Sequence, residues 1–97
     1  MKHFIVKIKY TAPISEIEKV VAEHREFLQT GYDNEMLLCS GPIEPRTGGI
    51  IIARAESLNV LQEFFIHDPY NINQVADYKF IEFNPVKSQE FLIPWLS

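Results

Sequence analysis

The chain has 97 residues, 46% of them hydrophobic, with 13 acidic against 9 basic residues and a formal charge of −4. That length fits one domain with no room for a second, and so small a domain gains from association with another copy. The acidic balance and scattered Lys and Arg argue against a nucleic-acid surface, no apolar run approaches the ~20 residues that span a bilayer, and one cysteine, Cys39, excludes an internal disulfide. With no signal-peptide core after Met1, a cytoplasmic location is expected.

The segment from His3 to Tyr10 alternates Phe4, Val6 and Ile8 with lysines 7 and 9, the pattern of a strand with one better-buried face. Thr11-Ala12-Pro13 breaks it. From Ile14 to about Thr30, residues Ile17, Val20, Val21, His24, Phe27 and Leu28 recur at spacings of three and four, which predicts an amphipathic helix. Ser15 with Glu18 three residues later reads as a capping box, and Gly31 as the residue that stops the helix.

Met36–Ser40 reads as a short strand ended by Gly41-Pro42, and Ile43–Thr47 as a brief loop carrying Pro45 and Arg46. Gly48-Gly49 then leads into a dense strand, Ile50–Ala55. Ser57 caps a second helix whose stripe is Leu58, Leu61, Phe64 and Phe65. Asp68-Pro69-Tyr70 ends that helix, because a following proline biases residue 68 out of the helical region. Asn71–Gln74 is turn-like, and Val75–Phe83 is the last strand. The order is βαββαβ, an α+β domain of the ferredoxin-like kind over residues 1–87.

Both helices of such a unit cover one face of its sheet. The last strand, however, is apolar on both faces, with Tyr78 and Phe80 on one and Ile81 and Phe83 on the other. A sheet apolar on two sides needs a second cover, and a face-to-face homodimer is the expected one. The tail, Ser88–Ser97, carries Phe91, Leu92, Ile93, Trp95 and Leu96; it is expected to pack on the sheet, on a cavity rim or on a second subunit.

His24 lies on the apolar stripe of the first helix and therefore points toward the sheet. It is either a hydrogen-bonded core histidine or a general acid/base, since imidazole changes charge near neutral pH. Asp68 is the natural partner, although Asp-Pro commonly serves only to cap a turn. His24 stands six residues, ~9 Å, before the helix end near Thr30, and helical side chains lean toward their N-terminus, in the direction of Asp68. Ser40, at a strand end, and Tyr70, beside the pair, are lesser candidates for contact with a ligand. His67 is expected to be exposed, and a metal held by His24, His67 and Asp68 is disfavoured because two of the three are adjacent. Cys39, inside an apolar strand, reads as inert. No phosphate loop, dinucleotide fingerprint, nucleophile elbow or CxxC pair is present, so neither cofactor nor metal is expected.

Taken together, Glu23-His24-Arg25-Glu26-Phe27-Leu28, the central Ser40-Gly41-Pro42, the glycine-initiated strand after it and Asp68-Pro69-Tyr70 resemble the YCII-related (YciI-like) proteins over about Met1 to Lys87. The resemblance implies a ferredoxin-like fold, a dimeric α/β barrel and a site built on His24 and Asp68, with Ser40, Gly41 and Pro42 lining its pocket. One branch of that family is linked to dechlorination of chlorinated quinone-type aromatics. Two functions follow as expectations. One is cofactor-free acid/base chemistry, of isomerase, lyase or dehydrohalogenase type, on a small apolar or aromatic metabolite. The other is a non-catalytic dimeric module that binds a small molecule in the same cleft.

Overall fold

A computed structural model describes all residues, Met1–Ser97. Four strands, β1 (Lys2–Tyr10), β2 (Leu37–Pro42), β3 (Gly48–Ala55) and β4 (Ala76–Phe83), form one antiparallel sheet in the order β2-β3-β1-β4. The helices are α1 (Ile14–Asp33), α2 (Leu58–Phe65) and a one-turn α3 (Pro69–Ile72). A 3₁₀ turn (Glu90–Leu92) and a one-turn α4 (Ile93–Leu96) close the chain. This is the ferredoxin-like α+β order, with β1 and β3 central.

Strand alternation sorts the side chains as the pattern requires. Phe4, Val6 and Ile8 of β1 stand opposite Ala53, Ile51 and Gly49 of β3 and opposite Glu82, Phe80 and Tyr78 of β4. This helix-side face carries the core, where Phe4, Val6 and Ile8 meet Ile17 and Leu28 of α1 and Leu61 and Phe65 of α2. Full burial of each of these large side chains contributes about 1.5–3 kcal/mol relative to exposure.

Several local details depart from the sequence expectations. Ser15 does not cap α1; Pro13 is its N-cap, and the Pro13 carbonyl accepts from the N–H groups of Glu16 and Ile17. Gly31 does not stop the helix either. It is buried inside α1, where an added Cβ would lie 2.8 Å from Leu37 and Phe64 side-chain atoms, so glycine is there to let β2 and α2 approach. The chain leaves α1 two residues after Asp33, at Glu35, whose φ of 63° takes the left-handed role usually given to glycine.

β2 continues through Gly41 and Pro42, which pair with Ile50 and Gly49; proline is tolerated because β2 is an edge strand. β3 begins at Gly48, two residues earlier than expected. Asn71 and Ile72, expected in a turn, belong to α3, whose N-cap is Asp68. Cys39 is exposed rather than buried, because the register shift between Leu37 and Cys39 leaves its side chain on the edge, away from the helices.

The face away from the helices carries an apolar patch beside the exposed pair Lys7 and Lys79. Ile5, Ile50 and Ile52 are half-buried there, and Ile81 and Phe83 are exposed. One end of this face is covered by the tail: the Trp95 ring lies 5.6 Å from that of His3 and 5.0 Å from the Arg54 guanidinium, and Arg54 donates to the Trp95 carbonyl at 2.7 Å. His3 is buried beneath it. No helix is long and apolar enough to cross a membrane.

Candidate active site

His24 reaches its place because it occupies the inward stripe of α1 with Ile17, Val20 and Leu28. Asp68 arrives from the other side, as the residue between α2 and α3. The two side chains meet: His24 Nδ1 lies 2.8 Å from Asp68 Oδ1, with Asp68 fully buried and His24 8% exposed. The carboxylate is completely supported. Oδ1 also accepts from the Tyr70 backbone N–H at 3.0 Å, which caps α3, and Oδ2 accepts from the Tyr78 hydroxyl at 2.6 Å. A buried carboxylate persists as an anion only with such donors.

With Asp68 Oδ1 as the acceptor of this bond, His24 Nδ1 carries the shared proton. That tautomer leaves Nε2 as the free ring nitrogen. The Tyr70 ring stacks flat on the imidazole, with centroids 3.8 Å apart and planes 7° off parallel. Stacking and the Asp68 bond together hold the ring against rotation. Burial, reinforced by the charge of Asp68, pushes the Tyr78 hydroxyl far above its ordinary pKa, so it remains a donor at any pH of interest.

His24 and Tyr70 form one side of a cleft of about 290 Å³, near the lower limit for small-molecule sites. Ser40, Gly41 and Pro42 line the opposite rim. The Ser40 hydroxyl is already engaged with the Tyr32 hydroxyl at 2.6 Å, and a Cβ at Gly41 would meet nothing within 4 Å, so that position faces open space. All six residues singled out from the sequence thus lie in or beside one cleft. His67 is exposed, and no group of three or more His, Cys, Asp or Glu side chains is arranged to hold a metal ion.

Three residues were not singled out from the sequence: Tyr78, Tyr10 and Arg46. Tyr78 carried a signal, since strand parity sets it on the buried face of β4 with a polar tip that needs a partner. Tyr10 and Arg46 carried none. The Tyr10 N–H donates to the Thr47 carbonyl at 3.0 Å, which draws the β2–β3 loop over the end of β1 and brings Arg46 to the cleft. The Arg46 guanidinium donates to Glu18 of α1. Hydrogen bonding to Tyr10 and to Glu18 raises its already high pKa. Burial, with Tyr10 beside it, pushes Tyr70 up to about 12, against the opposing pull of Arg46. Both Arg46 and Arg25 line the cleft and no carboxylate does.

A ferredoxin-like sheet with a helix-borne imidazole, clamped by a buried carboxylate at a small cleft, defines the class of protein. Within that class, the chain belongs to the YCII-related domain family, whose profile matches residues 1–84. Among solved structures, it resembles the 5-chloro-2-hydroxyhydroquinone dehydrochlorinase (TftG) from Burkholderia phenoliruptrix AC1100, in complex with 2,5-dihydroxybenzoquinone. The likeness has a TM-score of 0.69 and 19% identity, covering 84% of this chain and 90% of that one. At that identity it speaks for the shared fold. A search of curated protein sequences gives no match.

Proposed function

We propose that this chain is a cofactor-free acid/base enzyme acting on a small cyclic or aromatic metabolite, with His24 as the proton-transferring residue and Asp68 as its orienter. The observation that carries the reading is the 2.8 Å bond from His24 Nδ1 to a fully buried, fully hydrogen-bonded Asp68, at a cleft lined by the imidazole. In this role, Nε2 takes a proton from the substrate and the Asp68 carboxylate stabilises the resulting imidazolium. Tyr70 keeps the ring plane fixed, and Ser40, Gly41 and Pro42 bound the substrate on the far rim.

Dehydrohalogenation is the favoured reaction within this type, because the structural relative is a dehydrochlorinase bound to a dihydroxybenzoquinone. The balance needs no redox partner. The substrate proton passes to Nε2, the pair it leaves behind becomes the new π bond, the halide leaves with the electron pair of its bond to carbon, and the imidazolium returns the proton to water. Isomerisation and elimination of other leaving groups use the same first step.

The open sheet face supports a homodimer, in which Ile81 and Phe83 of one copy are covered by another. The chemistry is tested by halide release from chlorinated hydroquinones, followed for the wild type and for His24→Gln with folding checked by circular dichroism. Turnover is expected to fall by about 10²–10⁴-fold in the variant, the range of a general acid/base. Equal turnover in both proteins overturns the assignment. Binding by the wild type with no chemistry on any ring compound leaves a binding module instead.

A further inference from the structure

The charges around the cleft are inverted with respect to the whole chain. The protein carries a net −4, yet the cleft is lined by Arg25 and Arg46 and by no aspartate or glutamate. Asp68 is fully buried behind His24 and engaged by three donors, and the Glu18 carboxylate at the rim is paired with Arg46. Once Glu18 leaves Arg46, the charged side chains that face a ligand are the two arginines.

The two arginines differ in how they are held. Arg25 is exposed on α1. Arg46 and Tyr10 line the cleft together, the Tyr10 ring meets that of Tyr70 edge-on at 5.9 Å, and Tyr70 stacks on His24. The fork of Arg46 already holds one carboxylate, that of Glu18 at the rim. Both partners of this pair reach solvent, with side chains 31% and 52% exposed. Such pairs are weak, contributing little to stability, so an incoming anion can replace Glu18. The planar fork suits two-oxygen and single-oxygen anions alike. Besides Arg46 and His24, the cleft is lined by Tyr10, Tyr70, Ile8 and Leu28, a surface suited to a flat apolar ring, and Tyr70 adds no negative charge because it stays protonated well above neutral pH.

We infer that Arg46 is the specificity-determining residue of the cleft, selecting planar ring compounds that carry an anionic oxygen, as a carboxylate, phenolate or enolate. This names the substrate class for the proposed reaction and rests on that reading only for what happens after binding. Arg46 engages the anion at the mouth, and exchange of Glu18 for the ligand oxygen accompanies entry.

The test is an amide NMR titration of the full chain with benzoate and with its neutral counterpart benzamide. Benzoate is expected to bind about tenfold or more tightly than benzamide, in keeping with a charge-assisted hydrogen bond, with shifts at Arg46, Gly49 and Tyr70. Arg46→Met is expected to bring the two ligands within about twofold, and Arg46→Lys to retain an intermediate preference. His24→Gln is expected to keep the preference, which separates the guanidinium from the imidazole. Equal affinities in the wild type, no shift with either ligand, a preference that survives Arg46→Met, or one lost in His24→Gln would each overturn the inference. No turnover enters the measurement, so failed anion selection and failed catalysis are told apart.

Discussion

Replacing Tyr78 with phenylalanine removes one oxygen atom from the centre of this protein. That oxygen is the protein donor to Asp68 Oδ2, at 2.6 Å, while Oδ1 is taken by His24 and the Tyr70 amide. Asp68 is fully buried, so water does not take over the vacated position. Hydrogen bonds to charged groups contribute about 1.5–3 kcal/mol, and a stranded buried acceptor costs a similar amount. The aromatic ring itself remains against Phe65 and Phe80, at centroid distances of 5.7 and 6.3 Å, so no cavity opens. The expected loss is about 2 kcal/mol. For a chain of this size that corresponds to a fall of roughly 8–16 °C in Tm. Urea and thermal unfolding measure it, and the same substitution in an Asp68→Asn background isolates the pair. The loss is expected to shrink markedly there, because the charge that the hydroxyl serves is gone. A Tm change of under about 3 °C, or an equal loss in both backgrounds, refutes the reasoning that Tyr78 holds the carboxylate.

Gly48→Ala is expected to disrupt folding or cost more than about 2 kcal/mol, since its Cβ would stand 1.9 Å from the Ile8 backbone oxygen. Gly31→Ala meets only side-chain atoms at 2.8 Å and is expected to cost about 1 kcal/mol; denaturant melts that rank the two the other way would contradict the packing argument. Burial, with the N-terminal charge, holds the His3 pKa below its ordinary 6.5, so the unfolded chain binds more protons and the His3 contribution to stability is lost as pH falls below 6.5. The emission of Trp95, the single tryptophan, is expected to shift over that range and to stay flat in His3→Gln; a flat wild-type profile refutes the link. Ile81→Lys, on the open sheet face, is expected to break the proposed homodimer into monomers by light scattering, with an unchanged mass for the variant counting against that face as the interface.

The parts of the fold legible in the sequence were those with a strict period. The α1 stripe oriented His24 inward, and two-residue alternation in β1 and β4 set Phe4, Val6, Ile8, Tyr78 and Phe80 on one face. Helix ends were less legible, because they depend on contacts from elsewhere. Gly31 looks like a stop signal in isolation and is instead the close-approach point for Leu37 and Phe64, while Glu35 makes the left-handed turn without glycine. Asp68 was readable both as a turn residue and as a partner of His24, and the structure shows it in both positions at once. Arg46 was not readable at all. Its approach to the cleft depends on a backbone bond between Tyr10 and Thr47, 37 residues apart, and no local pattern records such a pairing.

The sharing of Asp68 Oδ1 between a helix cap and an imidazole couples two things that are usually separable. The Tyr70 amide and His24 Nδ1 converge on the same oxygen atom, so unwinding the first turn of α3 also releases the ring that Tyr70 covers. Hydrogen exchange at that one amide therefore reports the alignment of the imidazole. A substitution at Pro69 that loosens this turn is therefore expected to free the imidazole as well, even with the sheet intact.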